Sequence, residues 1–71
     1  MAMGGVVARD PNGNKLAEQD YIEGGFEPTM LALKAKLDEA NGCDNRLMQG
    51  DGHGGPILTG VAEVVGRWAF Q

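Results

Sequence analysis

Glycine punctuates this chain more than any other residue. Twelve of the 71 residues are glycine, where about 7% is usual. Glycine loses the most backbone freedom on folding and costs roughly 0.5–1 kcal/mol inside a helix or strand. Long uninterrupted elements are therefore disfavoured, and the chain divides into three glycine-bounded blocks. A domain of about 60 residues already buries only about 60% of its unfolded surface. The usual staples for so small a unit are missing. Cys43 is the single cysteine, so no internal disulfide is available. Cys43 and His53 cannot supply the roughly four ligands of a structural zinc site. No metal centre and no cofactor are expected. Oligomerisation is the remaining staple, and a homo-oligomer is the expectation.

The first block ends at Gly24-Gly25. Val6 and Val7 favour a strand. Asp10-Pro11-Asn12-Gly13 is a turn, because Pro presets φ and Gly accepts a positive φ. The flanks, residues 5–9 and 14–18, read as a β-hairpin. A short helix over residues 15–22 competes for the second arm, since Lys15, Leu16, Ala17, Glu18 and Gln19 are all helix formers. The second block carries the clearest periodicity. Met30, Leu33, Leu37 and Ala40 recur at spacings of three and four, with Lys34, Lys36, Asp38 and Glu39 on the other sides. The pattern predicts an amphipathic helix over residues 28–40, with Pro28 near its start and Gly42 as its left-handed stop.

The third block is ambiguous. Residues 46–49 suit a short strand, and a glycine cluster follows over residues 50–56. Beyond it, Ile57, Leu58, Val61, Val64, Val65 and Trp68 match a helical stripe, opposed by Thr59, Glu63 and Arg67. Gly60, Gly66 and the valines favour strands instead. Periodicity favours a helix; the alternative is a strand pair turning near Gly66. The expected fold class is α+β: a small single domain over residues 1–71. Its N-terminal hairpin packs on one amphipathic helix, followed by a C-terminal apolar helix or strand pair.

Charge and hydropathy narrow the function classes. The chain is 42% apolar with a net charge of −4, outside the range of intrinsic disorder. The most apolar stretch is interrupted by Thr59, Glu63 and Arg67, so no membrane span is expected. The first ten residues lack a basic leader before an apolar core, so a cytoplasmic location is expected. Six basic residues are scattered, whereas direct nucleic-acid binding calls for a basic patch. Acid concentrates in the first third, where Glu18, Asp20, Glu23 and Glu27 offer a face for a basic protein partner.

Four candidates carry chemistry. Gly50, Gly52, Gly54 and Gly55 present backbone amides that suit an anion, although the spacing matches neither common phosphate-loop motif. His53 sits among them as the only side chain titrating near neutral pH. Asp51 is placed to orient it. Cys43 completes a nucleophile–base–orienter set if the fold brings it near. Serine chemistry is excluded, because the chain has no serine.

Residues 9–16, Arg-Asp-Pro-Asn-Gly-Asn-Lys-Leu, resemble the D-P-[DN]-G-N hairpin of the glyoxalase and vicinal-oxygen-chelate family. The family places an acidic metal ligand three residues after the second Asn. Ala17 holds that position here, and Glu18 comes one step later, on the other face of a strand. The metal therefore does not carry over. The same stretch offers calcium-loop acceptors at Asp10, Asn12 and Asn14, but Lys15 and Tyr21 stand where that loop needs Gly and Glu.

The expected function is a non-enzymatic, oligomerising protein-interaction module. Its expected interface residues are Met48, Trp68 and Phe70, with Leu33 and Leu37 from the helix stripe serving core or interface. One competing reading is a small-ligand or metal-dependent enzyme whose site forms between subunits around residues 50–56. Another is an acidic inhibitor of a basic nucleic-acid-binding protein.

Overall fold

The structure is a computed structural model and describes residues 4–71. The first three residues of the segment read for a leader lie outside it. In chain order the elements are β1 (Gly5–Arg9), β2 (Lys15–Asp20), α1 (Phe26–Asn41), β3 (Asn45–Leu47), β4 (Gly54–Thr59) and β5 (Val64–Phe70). The five strands form one antiparallel sheet in the order β2-β1-β5-β4-β3. This is the α+β domain that the pattern implies. The connectivity places α1. It leaves β2 at one edge and enters β3 at the other, so it must cross one face of the sheet. It lies against β1, β2 and, at its C-terminal end, β3.

The first hairpin forms as expected, and β2 is a strand rather than a helix. Asp10 holds the turn: its Oδ1 accepts the backbone N–H groups of Asn12 and Asn14, both at 2.9 Å. Gly13 takes a φ of 89°, open to glycine without strain. Pairing to β1 then overrides the helix propensity of residues 15–19.

Helix α1 begins two residues before the expected start at Pro28. The first-turn amides need no intrahelical partner, so Pro28 is tolerated there. Thr29 organises the entry. Its Oγ1 donates to the Gly25 carbonyl and accepts the Ile22 N–H, both at 2.9 Å. Gly42 ends the helix in the left-handed region, at φ 69° and ψ 21°.

The C-terminal helix reading is overturned. Residues 57–70 belong to the strand pair β4–β5, and the turn lies at residues 60–63 rather than near Gly66. Thr59 Oγ1 accepts the Val61 and Glu63 N–H groups at 3.3 and 3.2 Å. The helical spacing was coincidental: Val61 is 85% exposed and Val64 58%. Gly66 is needed inside the strand, because an added Cβ would sit 2.2 Å from the Arg9 carbonyl oxygen on β1.

The core is small. Val6 and Ala8 from β1, Leu33 and Leu37 from α1, Ile57 from β4 and Trp68 from β5 form it. Each fully buried leucine contributes roughly 1.5–3 kcal/mol. A polar lock ties the end of α1 to β3. Lys34 Nζ lies 2.7 Å from Asp38 and 2.7 Å from Asp44. The other oxygen of Asp38 accepts the Asn45 N–H at 2.8 Å. The Lys34 hydrogen bond, then that of Asn45, holds the Asp38 carboxyl below its ordinary value of 3.8 despite partial desolvation. Unfolded, Asp38 titrates near that ordinary value. Its contribution to stability is complete above it and is lost as pH falls through the lower folded value. Between about pH 5 and pH 2, thermal midpoints should therefore fall less steeply for Asp38→Asn than for the parent chain. Parallel acid limbs would show that the lock carries no pH-dependent stability.

Candidate functional site

The glycine cluster is a packing device rather than an open loop. Gly54 and Gly55 lie in β4 and are buried. A Cβ on Gly55 would sit 2.0 Å from the Met48 carbonyl oxygen, and one on Gly50 would sit 2.4 Å from that of Gly54. Residues 48–50 thus lie backbone to backbone on the start of β4, an approach that side chains forbid. Gly52 alone of the four faces open space.

Asp51 occupies the amides that an anion would need. Its Oδ1 accepts the His53 N–H at 2.9 Å. That bond holds its carboxyl below the ordinary 3.8, against desolvation and with lesser help from the Gly54 N–H and the Arg67 charge. His53 is exposed, and its carbonyl accepts the Phe70 N–H at 3.1 Å. Cys43 is exposed too. It precedes Asn45, which pairs with Thr59 at the far end of β4, whereas His53 precedes Gly54 at the near end. A strand of that length spans roughly 17–20 Å. The fold brings Asp51 and His53 together and leaves Cys43 apart. Among the described residues no group of three or more His, Cys, Asp or Glu side chains is arranged to hold a metal.

Three aromatic rings make the most distinctive surface. Trp68 is 4% exposed, while Phe26 and Phe70 are 50% and 49% exposed. Ring centroids lie 5.4 Å apart for Trp68–Phe70, 5.6 Å for Phe26–Phe70 and 6.0 Å for Phe26–Trp68, the tilted and edge-on range that aromatic pairs favour. Trp68 is fixed from below, because its indole Nε1 donates to the Met48 carbonyl at 2.8 Å. The rings form one wall of a cleft of about 410 Å³ between the first half of α1 and strands β3 and β5. Met30, Leu47, Gln49, Asp51 and Gly52 complete its lining. A second hollow of about 250 Å³ continues it past Leu31 and Lys34, sharing Phe26, Met30 and Leu47.

Of the expected interface residues, Phe70 and Trp68 line this groove. Met48 is 39% exposed and supplies the carbonyl that anchors Trp68. Leu33 and Leu37 are 0% exposed and serve the core. Phe26 and Leu47 escaped the sequence reading. The signal for Phe26 was present: Phe26, Met30, Leu33 and Leu37 continue the helix stripe one step towards the N-terminus. The acids of the first third spread along edge strand β2 and the entry to α1. Glu18 is already engaged, by Lys15 at 3.0 Å and Gln71 at 2.9 Å. No helix among the described residues is long and apolar enough to cross a membrane.

Comparison of the chain with protein-family models, curated proteins and solved structures gave no match.

Proposed function

We propose that this chain is a protein-interaction module that pairs with a second copy of itself through the aromatic groove. The observation that carries this reading is the half-exposed pair Phe26 and Phe70, set tilted and edge-on against a tryptophan that its own indole bond holds in place. Rigid aromatics of this kind are the usual anchors of interface cores. The second copy is favoured over a foreign partner by the size of the core. Among the described residues the core cluster holds six buried apolar side chains, in a glycine-rich chain without a disulfide. Such a domain gains most from burying a shared apolar face. A two-fold pair would use the same patch on both subunits.

Trp68 is the only tryptophan, so its emission reports on the groove directly. Dilution of the parent chain should shift that emission as the pair separates. Phe70→Glu places a charge in the groove at a half-exposed position on the edge of Trp68, outside the buried core itself. It should weaken pairing by about 2 kcal/mol or more and show the dilute-state spectrum at all but the highest concentrations. An unchanged dilution curve in Phe70→Glu would refute the groove as the contact.

A second reading rests on Asp51 and Gly52, which line the same groove. Pairing there would set the loop, with His53 beside it, between subunits, as a shared ligand site requires. It calls for a pH-dependent ligand or metal affinity that vanishes in His53→Ala. Thermal stability indifferent to a metal and anion screen would dismiss it.

A further inference from the structure

The face of the sheet turned away from α1 holds a different kind of site. Side chains alternate along a strand. Val6, Ala8 and Trp68 enter the core, so Val7, Arg9, Arg67 and Ala69 face outward. They are direct neighbours: Val7 pairs with Ala69 and Arg9 with Arg67 in the β1–β5 register. All four line a cleft of about 450 Å³, with the exposed Val64 beside them and the Asp10-Pro11 turn at its rim. That volume falls within the roughly 300–1,000 Å³ of small-molecule sites.

Two guanidinium groups directly across a strand pair repel each other. Neither Arg9 nor Arg67 has an ion-pair partner among the described residues, although the chain as a whole carries net charge −4. Arg9 gives one hydrogen bond, from Nη1 to the Gly13 carbonyl at 3.2 Å, which steadies it at the cleft's edge. The acid at the rim keeps its charge but forms an ion pair with neither of them. The Asp10 carboxylate is taken up by Asn12 and Asn14 within its own turn. Asp51 acts on Arg67 only through space, with no ion pair between them.

We propose that this cleft binds a small organic anion, its oxyanion held by Arg9 and Arg67 and its apolar body lying on Val7, Val64 and Ala69. Arginine suits the role because its planar fork meets a carboxylate or related oxyanion in a bidentate way. The apolar floor separates such a ligand from inorganic phosphate, which has nothing to place there. Asp10 at the rim confines the charge to the arginine end.

The test is an amide NMR titration of the intact chain with three probes: naphthalene-2-carboxylate, its neutral carboxamide and inorganic phosphate. The carboxylate should shift the amides of Val7, Arg9, Arg67 and Ala69. It should bind about tenfold or more tightly than either other probe, the difference one or two charge-assisted hydrogen bonds make. Arg9→Gln and Arg67→Gln should each weaken it by a similar factor while the rest of the spectrum keeps its dispersion. The comparison of carboxylate with carboxamide uses the unaltered chain, so it decides even if a variant fails to fold. Equal binding of the carboxamide would overturn the proposal. So would phosphate binding as tightly as the carboxylate, or shifts confined to Phe26, Trp68 and Phe70. The last outcome would also separate this cleft from the aromatic groove on the other face.

Discussion

Gly55→Ala is expected to lower folding stability by about 3 kcal/mol or more, although the change adds a single methyl. The new Cβ would sit 2.0 Å from the Met48 carbonyl oxygen and 2.7 Å from the Gly50 nitrogen. Both are backbone atoms, so no side chain can rotate away. Overpacking of this kind costs roughly 1–3 kcal/mol. A further loss follows from which oxygen is struck. Met48 is the acceptor for the Trp68 indole, and moving it removes a partly buried hydrogen bond of about 1 kcal/mol. For a domain of this size a loss of 1 kcal/mol lowers the thermal midpoint by roughly 4–8 °C. The midpoint, read by circular dichroism, should therefore fall by more than about 12 °C. Gly52→Ala is the matched control in the same cluster. Nothing lies within 4 Å of its added Cβ, so its effect should stay within about 0.5 kcal/mol. If the two variants melt together, the cluster is an ordinary loop and the backbone packing described above is wrong.

Trp68→Ala is expected to cost about 3–5 kcal/mol, the range for removing a large buried aromatic. A stability of roughly 0.05–0.15 kcal/mol per residue is usual, so this change approaches the whole stability of a 71-residue chain. Three losses combine. The core loses its largest side chain, the Met48 carbonyl loses its donor, and Phe26 and Phe70 lose the ring they lean on. Trp68→Phe separates them. It keeps an aromatic ring and removes the indole donor, so its cost should fall clearly below that of Trp68→Ala in urea unfolding. Equal losses would mean that the Met48 bond dominates and the ring packing contributes little. A Trp68→Ala chain as stable as its parent would contradict the assignment of the core.

Local chemistry explains which parts of this fold were legible in advance. The Asp10-Pro11-Asn12-Gly13 turn and the Met30-Leu33-Leu37 stripe encode their structures within a few residues, and both formed. The start of α1 depended on Thr29 reaching back to Gly25 and Ile22, a contact that propensity alone does not register. The last block failed for a physical reason. Ile57, Val61, Val64 and Trp68 fall at helical spacing, but a stripe matters only if it is buried, and Val61 and Val64 are not. The pairing of β1 with β5 joins residues near opposite ends of the chain; no local pattern announces it. The site followed the same division. The glycine excess pointed to residues 50–55, and that cluster is structurally special. Its purpose is close backbone approach, which depends on where residues 48–50 lie relative to β4. Trp68 and Phe70 were expected at an interface from their residue type and, for Phe70, its place off the apolar stripe; the fold sets both in the aromatic groove. Phe26 lies two residues before the expected helix start at Pro28 and so fell outside the stripe.

The proposed self-association runs through the groove walled by Phe26, Trp68 and Phe70. Its most direct test is the molar mass of the unaltered chain, followed by light scattering after size exclusion across micromolar concentrations. Pairing gives twice the 7.5 kDa of the single chain, declining towards that value only on dilution. A mass of 7.5 kDa throughout the range would contradict self-association.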